Sequence, residues 1–149
     1  MQALDAVNVL APDQGIYSAG QLSEQDLIRL QEAGVKTIVN LRPESEPLPF
    51  DEKAAIEKLG LRYVHIPVAG EMDVTKQTAQ LLSTAISASE GDVMVHCASG
   101  NRVGALFALK GFYMDALSAD EAVEMGRAAG MTKLEPYVAH LLFVESRAG

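Results

Sequence analysis

The stretch "HCASGNRVGAL" (96–106) contains Cys97, the chain's single cysteine, and Arg102 shortly after it. A turn that ends a strand and begins a helix points several backbone N–H groups and the positive end of the helix dipole towards one place, which makes it an anion site. Arg102 can add a bidentate fork for two oxygens of a tetrahedral anion. The same positive charges favour the thiolate form of Cys97, which is the nucleophilic form. These residue types at this spacing predict a site for covalent catalysis.

The residues between the cysteine and the arginine fit an open cradle. Gly100 lets the backbone turn, and the small side chains before it leave the concavity free. Ser99 and Asn101 are expected to stabilise either the thiolate or the turn, and His96 to order the loop by a hydrogen bond rather than to transfer a proton. The predicted anion-binding residues are Ala98, Ser99, Gly100, Asn101, Arg102 and Arg42.

Two of these residues have a plain structural alternative. A free cysteine at the end of a strand is more often a buried packing residue than a reactive one, and it is the combination of Cys97 with Gly100 and Arg102 that favours catalysis. Arg42 follows a predicted buried strand and precedes a proline. Its side chain either lines the same site or forms a surface ion pair with Glu44 or Glu46.

The elements that must position this loop alternate between strand and helix from residue 23 to residue 114, which predicts one α/β domain over residues 1–149. We expect a three-layer fold with a central, mostly parallel sheet of about four or five strands, flanked by about six helices. Ligands bind such sheets beyond the carboxyl ends of the strands, where Cys97 and Arg42 both lie. The predicted strands are 7–10, 15–20, 35–41, 61–68 and 91–97, and the predicted helices begin near Ser23, Phe50, Thr75, Arg102, Ser118 and Thr132.

Composition narrows the function classes. The 12 basic and 20 acidic side chains give a net charge of −8 without any Lys/Arg run, which argues against nucleic acid as a partner. Neither a membrane span nor a secretory signal is recognisable, so we expect a cytoplasmic protein. A single cysteine allows no internal disulfide, and three histidines argue against a structural zinc site; no cofactor and no metal are expected. The sequence leaves the oligomeric state open.

The segment "VMVHCASGNRVGALFAL" resembles the signature of the cysteine-dependent protein tyrosine and dual-specificity phosphatases: His-Cys, a glycine, an arginine and then a central helix. "IYSAGQLSEQDLIRLQEAGVKTIVNLRPESE", "GLRYVHIPV" and the tail "LSADEAVEMGRAAGMTKLEPYV" are similar to small bacterial members. The chain most resembles the phosphatase-like family found alone or fused to metallo-β-lactamase-type hydrolases. The resemblance implies that Cys97 accepts the phosphoryl group, that Arg102 clamps the phosphate, and that the backbone of residues 98–102 forms the cradle.

The resemblance also implies a general acid on the loop "VAGEMDVT", because the superfamily usually carries an aspartate before the helix that precedes the cysteine loop. Asp73 and Glu71 are the candidates, and neither stands at an unambiguous motif position. The structural alternative is that Asp73 only precedes a helix whose dipole favours acids. The partner implied is a phosphorylated substrate or another tetrahedral oxyanion.

The loop departs from the common phosphatase pattern in two ways. It has four residues between Cys97 and Arg102 instead of five, and Val103 stands where a hydroxyl residue usually follows the arginine. The shorter loop resembles that of rhodanese sulfurtransferases, whose cysteine carries a persulfide, and "CASGNRVGALFALKGF" is similar to their Cys…Gly-Asn-Arg…Gly-Phe run. The alternatives to a phosphatase are therefore a sulfurtransferase that uses a Cys97 persulfide and a non-catalytic oxyanion-binding module.

Overall fold

The computed structural model describes residues 3–148. This part of the chain forms five strands and six α-helices, as expected for the α/β class. In chain order they are β1 (Leu10–Asp13), β2 (Ile16–Ala19), α1 (Glu24–Glu32), β3 (Val35–Asn40), α2 (Glu52–Lys58), β4 (Arg62–His65), a 3-10 turn (Glu71–Asp73), α3 (Lys76–Ser87), β5 (Asp92–His96), α4 (Asn101–Met114), α5 (Ala119–Ala128) and α6 (Glu135–Ala148).

The strands form one sheet in the order β1-β2-β5-β3-β4. Only the β1–β2 hairpin is antiparallel, and the other neighbours are parallel, so the expected mostly parallel sheet is confirmed. Strand β5 lies in the centre, between β2 and β3. Because parallel strands end at the same edge, the residues after β5 and β3 meet at one end of the sheet.

Helices α1 and α2 cover one face of the sheet. Leu27 and Leu30 of α1 and Ile56 of α2 are fully buried in one apolar cluster with Ile38 of β3 and Met94 of β5. Neighbouring residues of a strand point to opposite faces of the sheet. Val39 and Val95, which follow Ile38 and Met94, therefore point to the other face.

Helices α3 to α6 cover the opposite face. Val39 and Val95 belong to a second cluster that contains Leu82 of α3, Leu106 of α4 and Val138 of α6. The sheet is therefore buried on both sides, which confirms the expected three layers. Helix α4, which starts directly after the cysteine loop, is the innermost helix: residues from Val103 to Leu109 are all buried.

Capping residues fix where several helices begin. Ser23 caps α1 in a reciprocal capping box with Asp26, and Ser118 does the same for α5 with Glu121, as the sequence predicts. Thr75 caps α3 by accepting the N–H of Thr78. These starts are determined locally, so the sequence identifies them well.

The first predicted strand is displaced: residues 7–9 do not form it, and β1 runs over Leu10–Asp13. Asn8 has a left-handed backbone (φ 56°), which interrupts an extended run. Its side chain donates to the carbonyl oxygen of Ser99 at 2.7 Å, so this segment supports the cysteine loop rather than the sheet.

Two other predicted boundaries need correction. Strand β4 ends at His65 rather than at residue 68, because its partner strand β3 ends at Asn40; the N–H groups of Ile66 and Val68 still donate to the carbonyls of Asn40 and Leu41 at 3.0 and 2.8 Å. Helix α6 begins at Glu135, and Thr132 does not cap it. The Glu135 carboxylate pairs with Arg127 at 2.7 Å instead of returning to the backbone of Thr132.

Candidate active site

Cys97 follows the central strand and is fully buried. Its backbone N–H donates to the carbonyl of Ala19 at 3.3 Å, which ties it to β2. Its Sγ accepts the N–H of Gly100 at 3.0 Å, so the loop turns back over the sulfur. Gly100 has φ 99°, a left-handed conformation that glycine adopts without strain, and it caps the start of α4.

The carbonyl groups of the loop are held outwards. The N–H of Gln21 donates to the Ala98 carbonyl at 3.0 Å, and Asn8 holds the Ser99 carbonyl. Within residues 3–148, the backbone N–H groups of residues 98, 99, 101 and 102 donate no hydrogen bond. Unpaired N–H groups next to the N-terminus of a long helix are an arrangement that suits an anion, and the prediction of a cradle rests on them.

Arg102 is held by three hydrogen bonds. Its Nη1 donates to Glu46 Oε2 at 2.6 Å and to the Val68 carbonyl at 2.9 Å, and its Nη2 donates to Glu46 Oε1 at 3.0 Å. This bidentate pairing lowers the pKa of Glu46 and raises the pKa of Arg102. Charge on the nearby Cys97 raises the pKa of Arg102 further, while burial opposes both effects. The guanidinium is thus fixed beside the sulfur.

Arg42 meets the same carboxylate. Its Nε donates to Glu46 Oε1 at 3.0 Å, its Nη1 to Gln21 Oε1 at 2.8 Å and its Nη2 to the Pro47 carbonyl at 3.3 Å. Arg42 therefore forms the ion pair with Glu46 that was one of its two alternatives, and Glu46 in turn joins it to Arg102. Arg42 does not occupy the cradle itself.

His96 lies under the loop and forms a buried pair. Its Nε2 is 2.7 Å from Glu52 Oε2, and both side chains are fully inaccessible to solvent. Its Nδ1 is 3.2 Å from the carbonyl oxygen of Cys97. This contact between His96 Nδ1 and the Cys97 carbonyl is a hydrogen bond of the kind expected to order the loop.

The other predicted residues have different surroundings. Asp73 Oδ2 accepts the N–H of Ala69 at 2.9 Å within its own loop, and Glu71 is exposed. The side chain of Asn101 faces away from the sulfur, because its Oδ1 accepts the N–H groups of Thr132 and Leu134. Ser99 is exposed and contributes its carbonyl to the Asn8 contact. Asn101 therefore stabilises the turn, one of the two roles considered for it.

The sequence did not predict three polar contacts of this site. Glu46 pairs with Arg102, Glu52 pairs with His96, and Gln21 lies between Glu52 and Arg42. The spacing of Arg42 and Glu46 was a usable signal for their pair. No sequence signal indicates Glu52, because the sequence of α2 is that of an ordinary amphipathic helix. Only the structure shows that this acidic residue points inwards.

Within residues 3–148, no group of three or more His, Cys, Asp or Glu side chains is arranged to hold a metal ion. Over the same residues, none of the helices has the length and apolar character needed to cross a membrane.

The chain is similar to known phosphatase-like proteins. Residues 7–112 match the family model "Beta-lactamase hydrolase-like protein, phosphatase-like domain". A beta-lactamase hydrolase-like protein from Xylella fastidiosa is 35% identical over 116 residues, which are 75% of this chain and 27% of that protein. One from Agrobacterium fabrum is 34% identical over 95 residues, 61% of this chain and 22% of that protein. The chain thus spans about a quarter of the length of these relatives.

Solved structures share the fold. A candidate phosphatase from Neisseria meningitidis is 28% identical, with a TM-score of 0.71 over 89% of this chain and 94% of that one. Pseudomonas aeruginosa TpbA, solved in complex with pTyr, has a TM-score of 0.65 at 22% identity, over 99% of this chain and 96% of that one. The fold is that of the cysteine phosphatases, and the chain belongs to the family of phosphatase-like domains of beta-lactamase hydrolase-like proteins.

Proposed function

We propose that this chain hydrolyses phosphomonoesters through a phosphoryl group carried on Cys97. The observation that supports this most directly is the set of donors that Arg102 keeps free. A guanidinium has five N–H donors. Glu46 takes two of them and the Val68 carbonyl takes a third, all from the terminal nitrogens. The Nε–H and one Nη2–H remain, and these two lie on the same edge.

This free edge is a fork for two oxygens of a tetrahedral anion. The unpaired N–H groups of residues 98, 99, 101 and 102 supply further donors around the same anion. Glu46 therefore does not occupy the phosphate position but holds Arg102 so that its remaining edge is available. Preorganised donors of this kind stabilise the charge that develops on the transferring group.

In the first step, the Cys97 thiolate attacks phosphorus, and the bond from phosphorus to the leaving oxygen breaks as the S–P bond forms. The leaving oxygen takes a proton from a carboxyl group. In the second step that carboxylate takes a proton from water, whose oxygen attacks phosphorus, and the S–P bond breaks to return the thiolate and inorganic phosphate. We assign the carboxyl group to Asp73 ahead of Glu71, because Asp73 is partly buried and held by Ala69.

The test follows the hydrolysis of 4-nitrophenyl phosphate by the wild type, Cys97→Ser and Arg102→Ala. We expect a phosphatase whose Cys97→Ser variant falls to background, and a mass gain of one phosphoryl group on Cys97 in acid-quenched wild type. Arg127→Ala is the matched control, because Arg127 forms a similar bidentate pair with Glu135 at the surface. Equal rates in wild type and Cys97→Ser would refute the proposal.

The same samples separate the two alternatives. A sulfurtransferase gains the mass of one sulfur on Cys97 after thiosulfate treatment. A non-catalytic binding module is protected from alkylation by phosphate but forms no phosphorylated cysteine. We rank both below the phosphatase because the family and the fold are phosphatase-like.

A further inference from the structure

A continuous chain of polar contacts, fully buried at one end and partly exposed at the other, joins the two ends of the cysteine loop. It starts at His96, passes to Glu52 at 2.7 Å, and continues from Glu52 Oε1 to the Gln21 amide nitrogen at 2.8 Å. The Gln21 amide oxygen then accepts from Arg42 at 2.8 Å. Arg42 contacts Glu46, which holds Arg102.

We infer that Glu52 is a positioning residue that couples the nucleophile to the phosphate clamp. Glu52 touches neither Cys97 nor Arg102, but it is the member of the chain that reaches both sides: one carboxylate oxygen binds His96 and the other binds Gln21. This inference deepens the proposed function, because it assigns a role in organising the same site.

The His96 ring explains why a carboxylate is needed at this position. Both ring nitrogens face acceptors: Nδ1 faces the Cys97 carbonyl, and Nε2 faces Glu52. A neutral imidazole carries one N–H, so it can satisfy only one of the two. A carboxyl group presents only oxygens to Nε2, whereas an amide can turn its N–H group towards the ring, so Glu52 restricts the His96 ring in a way that an amide would not. A buried carboxylate without such a partner would be strongly destabilising.

Gln21 transmits the orientation to the other side. Its amide nitrogen donates to Glu52 and to the Leu22 carbonyl, which fixes the amide, and its oxygen is then directed at Arg42. Arg42 in turn fixes Oε1 of Glu46, the oxygen that also binds Nη2 of Arg102. A loss at Glu52 is thus expected to reach Arg102 through three side chains.

The experiment uses Glu52→Gln, which keeps the side-chain shape but removes the charge, and Glu57→Gln as the control, because Glu57 is exposed on the same helix. One readout is the protection of Cys97 from iodoacetamide by inorganic phosphate, which requires no turnover. We expect Glu52→Gln to weaken the apparent phosphate affinity by at least ~3-fold, and Glu57→Gln to leave it unchanged. Unchanged protection in folded Glu52→Gln would overturn the inference.

The second readout is the ring ¹⁵N spectrum of His96, assigned with His96→Asn. We expect the Nε2 resonance of His96 to shift in Glu52→Gln, because its hydrogen-bond partner changes, and to stay at the wild-type position in Glu57→Gln. An unchanged spectrum would contradict the assigned role of Glu52. Neither readout depends on hydrolysis, so a chain without phosphatase activity would refute the proposed function while these results still decide the coupling.

Gln21→Met tests the same chain from a less buried position if Glu52→Gln does not fold. It removes the link to Arg42 but leaves the His96–Glu52 pair in place. We expect weaker phosphate protection with an unchanged His96 spectrum. Wild-type protection in this variant would show that the two sides of the loop are independent.

Discussion

Replacing Arg102 by alanine should do two separable kinds of damage to anion binding. It removes the two free N–H donors, and it leaves the Glu46 carboxylate next to the site without the partner that neutralises it. A hydrogen bond to a charged group contributes about 1.5–3 kcal/mol, so two contribute ~3–6 kcal/mol. Since ~1.4 kcal/mol is a factor of ten, we expect kcat/KM for 4-nitrophenyl phosphate to fall by ~10²- to 10⁴-fold.

The double variant Arg102→Ala/Glu46→Gln isolates the second kind of damage. Two like charges ~5 Å apart at an effective dielectric constant of ~20 repel by about 3 kcal/mol. Glu46 is 29% exposed and retains Arg42, so screening should reduce this to roughly 1 kcal/mol. We therefore expect the double variant to recover about fivefold of the lost activity relative to Arg102→Ala.

The assay is steady-state hydrolysis together with competitive inhibition by inorganic phosphate, with Arg127→Ala and Arg127→Ala/Glu135→Gln as the matched surface pair. Neither control should change kcat/KM. The reasoning is refuted if the double variant is no faster than Arg102→Ala, because the stranded carboxylate would then have no effect on the bound anion.

Three further outcomes are expected. Gly20→Ala should lower the free energy of unfolding in urea by roughly 1–3 kcal/mol and reduce activity, because its new methyl group would lie 2.7 Å from the Ala98 carbonyl oxygen. The control Gly70→Ala should be neutral, because its methyl group would meet no atom within 4 Å. Asp73→Asn should lower kcat much more for alkyl phosphates than for 4-nitrophenyl phosphate, since a good leaving group needs no proton; an equal loss on both would remove Asp73 as the acid. Arg102 holds the pKa of Glu46 below its ordinary value of 4.5. The stability that Glu46 contributes is therefore present above pH 4.5 and is lost as the pH falls through the lowered pKa. The free energy of unfolding of Glu46→Gln should accordingly depend less on pH in this acid range than that of the wild type.

The sequence indicated the parts of this site that are close along the chain. Cys97, Gly100 and Arg102 share one turn, and the strand before it and the apolar helix after it fix their common direction. Local signals also identified the capped starts of α1 and α5, because a capping box is complete within four residues.

The partners of the loop could not be found in this way. Glu46 is 56 residues from Arg102, and Glu52 is 44 residues from His96, so only the packing of α2 and of the loop after β3 onto the sheet brings them together. The displacement of the first strand has a similar origin: Asn8 leaves the extended conformation to reach Ser99, 91 residues away. Such contacts depend on the whole fold, whereas the secondary-structure propensity of a segment depends only on residues that are close along the chain.

The side chain of Asn101 has a practical consequence for shortening this protein. The segment that matches the family model ends at residue 112, yet Asn101 receives its two hydrogen bonds from Thr132 and Leu134, and Gly130 packs against Gly100. Trimming the chain to the matched segment would remove the wall behind the turn and expose the buried side of α4 to water. The structural support of the cysteine loop therefore extends at least to Leu134, beyond α5 and up to the start of α6.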